Sequence, residues 1–202
     1  MALNHSPKAN RRSIRLREYD YAQSGMYFFT VCTHERELLF GDGVDGEMHS
    51  NDFAQIVWDE GYKSTTVRHE LDLDTFVVMP NHIHGIILLK NRASVGASGR
   101  SPFSSGPSRN SLGAFIAGFK AATTKRINDL RATPRAAVWQ RNYYDHIIRD
   151  ENSLTRIREY IVTNPLQWDL DPENPQRVGD RPVAPTHKPE TELHGDSLQN
   201  GR

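Results

Sequence analysis

The sequence predicts an α+β domain with a ferredoxin-like, split β-α-β core. In that arrangement an antiparallel sheet carries helices on one face, and here one further helix is added at the C-terminal end. Three observations predict it. Apolar residues follow strand-like and helix-like spacings in the order strand, helix, strand, strand, helix, strand, helix. The two middle strand segments are separated only by Pro80-Asn81, a dipeptide suited to a tight turn, so they should pair as a hairpin. The last helical segment runs into Pro165, which should end it.

Taken in order, residues 26–33 (MYFFTVCT) are aromatic and β-branched and read as the first strand. Residues 51–67 place Phe53, Ile56, Val57 and Tyr62 at helical spacing behind Ser50 and Asn51, either of which suits an N-cap. Leu71–Met79 and His82–Leu89 are the hairpin strands. Residues 111–130 set Leu112, Phe115, Ile116, Phe119, Ile127 and Leu130 on one helical stripe behind Ser111, with Lys120, Lys125 and Arg126 off it. Residues 138–148 (VWQRNYYDHII) alternate and are aromatic, a fourth strand. Residues 152–164 carry Leu154, Ile157, Tyr160 and Ile161 on one helical face. The core helices would cover one face of the sheet and leave the other for a substrate.

At 202 residues the chain is long enough for one domain with tails. Its 25 basic residues match its 25 acidic ones, so bulk charge announces neither nucleic acid nor membrane. The distribution is uneven, however. Residues 1–18 form a basic arm holding Arg11, Arg12, Arg15 and Arg17. The domain follows at 19–168 with a Ser/Gly-rich loop at 91–110, and an acidic stretch from 169 to 202, poor in large apolar residues, reads as a mostly disordered tail. The single cysteine, Cys32, excludes an internal disulfide or a cysteine zinc cluster and fits a reducing compartment. No leader-like segment or bilayer-length apolar run is evident, so the expectation is a soluble, untargeted, cytoplasmic protein with no membrane partner.

The chemistry concentrates in VVMPNHIHGIILL. Successive strand side chains point to opposite faces, so His82 and His84 share one face while Ile83 points to the other. Two neutral imidazoles side by side suit a divalent ion and are costly to charge together. The plainer alternative is one hydrogen-bonded, half-buried histidine beside a solvated one. Tyr160 and Asn164, four apart, lie about one turn from each other on the last helix. Tyrosine can supply a nucleophilic oxygen, and an amide carbonyl suits a hard cation such as Mg²⁺ or Mn²⁺. Each could also be structural, as core aromatic and helix-terminal polar residue. His34, His49 and His69 have no partner at ligand spacing, and Asp145 and His146 read as structural.

Together, YFFTVCTHERELLFG, VVMPNHIHGIILL, FIAGFKAATTKRIN and VWQRNYYDHIIRDENSLTRIREYIVTNP resemble the single-tyrosine HUH endonucleases of single-stranded DNA, specifically the REP-associated tyrosine transposases. The likeness covers about residues 15 to 170. It implies that His82, His84 and Asn164 hold a divalent metal, Mg²⁺ or Mn²⁺, and that Tyr160 attacks a DNA phosphodiester to form a 5'-phosphotyrosine link. It also implies hairpin-forming, REP-like DNA as the partner and a monomer, although a dimer stays open. Backbone contacts would fall to Arg11, Arg12, Arg15, Arg17, Lys120, Lys125 and Arg126, and base contacts to Arg141, Asn142 and Tyr143. Two other readings of the residues stay open: a hairpin-binding module without catalysis, and a metal-dependent phosphoesterase using activated water, which would not need Tyr160.

Overall fold

The computed structural model describes residues 23–90 and 110–177. The arginines of the basic arm, the Ser/Gly segment through residue 109 and the tail beyond 177 lie outside the described residues. Six strands and three α-helices appear in the order β1 (Gly25–Cys32), β2 (Gly41–Val44), β3 (Glu47–Ser50), α1 (Asp52–Val67), β4 (Leu71–Met79), β5 (His82–Leu89), α2 (Leu112–Leu130), β6 (Tyr144–Ile148) and α3 (Glu151–Thr163). The main sheet runs β4-β5-β1-β6 with every neighbouring pair antiparallel. The chain leaves β1, passes through α1 and enters β4 two positions away, and β5 then fills the gap. That is the split β-α-β of the expected fold.

Alternation along the strands sorts residues onto two faces. Tyr27, Phe29 and Val31 of β1 and Ile83, Ile87 and Leu89 of β5 join Val57 of α1 and Phe115, Ile116, Phe119 and Ile127 of α2 in the larger core. Phe28, Ile86 and Ile148 face the opposite way and are covered by Leu154 and Ile161 of α3. Helices α1 and α2 thus share one face as expected, and α3 occupies the face reserved for a substrate. A bulge between Leu73 and Phe76 inserts one residue into β4, which keeps both Leu73 and Phe76 on the α1/α2 side although their sequence parity differs. Gly85 is required where it stands, because a Cβ there would lie 2.6 Å from the ring of Phe29.

Several expectations shift. The first strand begins at Gly25 and ends at Cys32, one residue earlier at each end than expected. Asn51 is the N-cap of α1, accepting from the backbone N–H groups of Phe53 and Ala54, and Ser111 caps α2 in the same way through Ala114. Tyr62 and Leu130, assigned to apolar stripes, are exposed; Tyr62 stacks on Trp58 instead. The fourth strand contracts to Tyr144–Ile148; Trp139 and Gln140 keep only an isolated bridge to the end of β1, and the carbonyls of Gln140, Arg141 and Asn142 turn to the Lys120 ammonium. Helix α3 stops at Thr163, just ahead of Pro165 as expected; Asn164 keeps helical dihedrals and the chain continues as a 3-10 turn through Pro165–Leu170. The β2–β3 hairpin was missed; Asp45 (φ 54°) and Gly46 (φ 79°) form its turn, and Asp-Gly is the dipeptide that tolerates such backbone. The tail begins later than residue 169, since Asp171 and Asn174 are buried.

Candidate functional site

His82 and His84 sit on β5 on the α3 side of the sheet, and both are buried. Their Nε2 atoms approach to 3.0 Å. Each ring is steered by its Nδ1. His82 Nδ1 lies 2.9 Å from the Asn81 amide oxygen, and His84 Nδ1 lies 2.8 Å from the Thr30 hydroxyl, its cross-strand neighbour on β1. Asn81 Oδ1 can only accept, so His82 carries its proton on Nδ1 and presents the Nε2 lone pair to His84. Burial holds His82 neutral by lowering its pKa to about 3, with Arg36 lowering it further and Asn164 partly opposing. Burial and then the neighbouring His82 push His84 well below the usual imidazole value too.

Helix α3 brings Tyr160 to the same point. Its hydroxyl is 3.2 Å from His84 Nε2, and its ring packs edge-on to Phe28, which stacks on His84. Tyr160 is 40 % exposed, in contrast to the buried histidines. Burial, then the charges of Asp171 and Glu173, push its pKa up, whereas Asn164 pulls it down. A phenol raised in this way needs a nearby cation before it is a nucleophile at neutral pH.

Asn164, one turn on, is buried. Its Nδ2 donates to Asp171 Oδ2 at 3.1 Å, while its Oδ1 is enclosed with no hydrogen-bond partner. An enclosed amide oxygen without a donor is costly unless something positive meets it. Asp171 closes the group: His82, His84 and Asp171 each offer a ligand atom within 4.8 Å of the others, and Asp171 Oδ2 lies 3.9 Å from His82 Nε2. Two neutral imidazole nitrogens and an orphaned amide oxygen fit a divalent cation, with the Asp171 carboxylate beside them accepting from Asn164 and the Glu173 N–H. Asp171, Asn81 and Thr30 were missed by sequence reasoning. For Asn81 the available signal was an amide residue directly before His82; for Asp171 it was Trp168, a large apolar residue three positions before it, at the end of the expected domain.

The residues assigned to DNA are placed elsewhere. Lys120 is bonded to backbone carbonyls, and Arg126 bridges Asp59 and Glu60 of α1 at 3.1 and 2.9 Å, so both join parts of the fold together. Lys125 pairs with Asp129. Arg141 and Asn142 are exposed, and Tyr143 packs against the α1/α2 core. Lys120, Lys125, Arg135 and Arg141 line an open cleft of about 640 Å³ that none of His82, His84 and Tyr160 borders. His34, His49 and His69 are exposed. Among the described residues no helix is long and apolar enough to cross a membrane.

No protein-family profile matches the chain. A Haemophilus influenzae protein of uncharacterised function is 36 % identical over 167 residues, covering 80 % of this chain and 92 % of its own length, and the two belong to one family. A second Haemophilus influenzae protein, provisionally named a REP-associated tyrosine transposase, is 23 % identical over 156 residues, covering 73 % of this chain and 74 % of its own. Among solved structures, a REP-associated tyrosine transposase bound to a REP hairpin superposes with a TM-score of 0.51 at 21 % identity, over 76 % of this chain and 73 % of that one.

Proposed function

We propose that the chain is a REP-associated tyrosine transposase, as its relative and its fold support, and that it cleaves and rejoins single-stranded DNA beside a hairpin through a 5'-phosphotyrosine intermediate. Tyr160 is the nucleophile, and His82, His84 and Asn164 hold a divalent ion, Mg²⁺ or Mn²⁺. One observation carries this reading: two Nε2 atoms 3.0 Å apart, an enclosed amide oxygen with no donor and the hydroxyl of a partly exposed tyrosine converge at one place. A hairpin-bound relative of the same fold supports the choice of DNA.

Tyr160 Oη forms a bond to phosphorus as the bond from phosphorus to the 3'-oxygen breaks. The tyrosine proton is lost, and the departing 3'-oxygen ends as a hydroxyl by taking one up. Because a phosphodiester is exchanged for a phosphotyrosyl ester, the reverse step is open and strand transfer is possible. A bound divalent ion supplies Lewis acidity at the non-bridging oxygens and neutralises charge that grows in the transition state. The protein holds His82 and His84 neutral by burial and keeps their rings in place through Asn81 and Thr30. His84 Nε2 faces both His82 Nε2 and the Tyr160 hydroxyl, and its use as a ligand would replace these contacts. The phenol would be freed from its contact by a cation held at His84 Nε2.

The test is to incubate the full chain with labelled hairpin DNA carrying a single-stranded flank, with Mn²⁺ or Mg²⁺. A denaturation-resistant adduct that vanishes with chelator and in Tyr160→Phe is the expected result. Metal-dependent hydrolysis that survives in Tyr160→Phe would replace this reading by a phosphoesterase using water.

A further inference from the structure

The residues that follow α3 reach back to the site. Asp171 Oδ1 accepts from the Glu173 N–H at 2.6 Å, Asn174 Nδ2 donates to the Trp168 carbonyl, and the Asn174 N–H donates to the Asp171 carbonyl. Arg36 anchors this strap from the other side, pairing with Glu173 and donating to the Pro172 carbonyl. Glu35 and Arg36 both occupy the left-handed region (φ 54° and 59°), which no glycine requirement explains and which marks a segment held by its contacts.

Two amide side chains at the site end on this strap. Asn81 Nδ2 donates to the Glu173 carbonyl at 2.6 Å and to the Arg36 carbonyl at 3.3 Å, which leaves its Oδ1 to receive the His82 Nδ1 proton. Asn164 Nδ2 donates to Asp171 Oδ2, which leaves its Oδ1 toward the site. In both cases the strap offers only acceptors to the amide, so only the NH₂ end can face it. A turned amide would put hydrogens where a lone pair is needed.

We infer that the strap Asp171–Glu173 is the positioning element that fixes which atoms His82 and Asn164 present to a cation, with Asp171 acting through Asn164 and the Glu173 carbonyl acting through Asn81. This rests on the metal-binding reading above and adds residues that lie outside the His-x-His and Tyr-x-x-x-Asn patterns. Outer partners of this kind are worth about 10–100-fold in metal affinity.

The chemistry of Asp171→Asn makes the inference testable. A carboxylate accepts at both oxygens, whereas an amide accepts at its single oxygen and donates at the other end. In this variant the amide oxygen stays with the Glu173 N–H, so the new NH₂ faces position 164 and forces the Asn164 amide to turn its own NH₂ toward the histidines. The exchange Asn164→Asp with Asp171→Asn removes the conflict. The carboxylate then standing at position 164 accepts from the new NH₂ with one oxygen and keeps the other for the cation, at unchanged net charge.

The experiment is calorimetric titration of Mn²⁺ into the full-length wild type, Asp171→Asn and the exchanged pair, with thermal unfolding of each. The expected result is about tenfold or greater loss in the single variant and recovery in the exchange. Unchanged affinity in Asp171→Asn overturns the inference, and so does a loss that the exchange leaves unrecovered, which would make Asp171 a ligand in its own right. Absence of stoichiometric Mn²⁺ binding by the wild type would instead remove the metal-binding reading, and this inference with it. Should Asp171→Asn fail to fold, nitrogen NMR of the metal-free wild type decides the Asn81 arm: His82 protonated on Nδ1 supports it, and protonation on Nε2 sinks it.

Discussion

The two faces of the main sheet are built from the same strands and have opposite characters. On one, Phe29, Val31, Ile83 and Ile87 lie against α1 and α2 in a core that is apolar throughout its centre. On the other, α3 covers a small apolar cluster of Phe28, Ile86, Ile148, Leu154 and Ile161 beside buried Thr30, His82, His84, Asn164 and Asp171. Strand β5 supplies both, one residue apart. The difference teaches that the large core can carry stability, which leaves the second face free to hold buried polar groups in arrangements that an isolated small domain could not sustain.

The sharpest way to separate the faces is chemical. Tyr160→Phe should remove the covalent DNA adduct completely while changing unfolding free energy by no more than about 1.5 kcal/mol, the scale of one hydrogen bond. A denaturing gel with labelled hairpin, set beside a denaturant melt, reads both, and a surviving adduct breaks the assignment. The converse experiment is Ile87→Ala on the packed face. A fully buried isoleucine truncated to alanine costs about 2–5 kcal/mol, and Mn²⁺ affinity of the folded protein should stay at the wild-type value. Loss of the ion with Ile87 would mean that the faces are not independent.

Acid should attack the polar face first. In the metal-free protein His82 is held neutral with its pKa lowered to about 3, against an ordinary value of 6.5. Between those values the unfolded chain binds a proton that the native one refuses, so stability is intact above 6.5 and falls as pH drops toward 3. The slope is about 1.4 kcal/mol per pH unit for one such histidine. Melts from about pH 7 down to about pH 4, inside that window, should show it, and His82→Gln should reduce it, His84 keeping its own share; an equal slope in both would locate the acid sensitivity elsewhere. Smallest is the tether between α3 and the β4 bulge, where Arg158 grips Asp74 at 2.8 and 3.0 Å. The pair is exposed, so Arg158→Ala should cost less than about 1 kcal/mol, and adduct formation should be retained.

Legibility in the sequence followed the range of the interaction. The hairpin strands Leu71–Met79 and His82–Leu89 were readable to the residue because alternation and a Pro-Asn turn are local. The cap at Ser111 was readable for the same reason, and that of α1 was narrowed to Ser50 or Asn51, of which Asn51 is the cap. The fourth strand was overextended because its apolar alternation says nothing of Lys120, twenty residues away, taking its carbonyls. The β2–β3 hairpin was overlooked because its strands, Gly41–Val44 and Glu47–Ser50, are short and carry little apolar signal; only Asp45-Gly46 announced it.

By itself, the sequence determined that His82 and His84 share a face, that Tyr160 and Asn164 share another, and that the elements carrying them make a split β-α-β core, since periods of about 2 and 3.6 are written into neighbouring residues. Only the tertiary structure decided that these two faces meet, with Tyr160 3.2 Å from His84, and that Asp171 and Glu173 orient the amides beside them. Contacts such as Asn81 to Glu173, 92 residues apart, leave no periodic trace along the chain. They exist because packing α3 onto the sheet carries the following residues back over the histidines, and enclosed amides must then find acceptors.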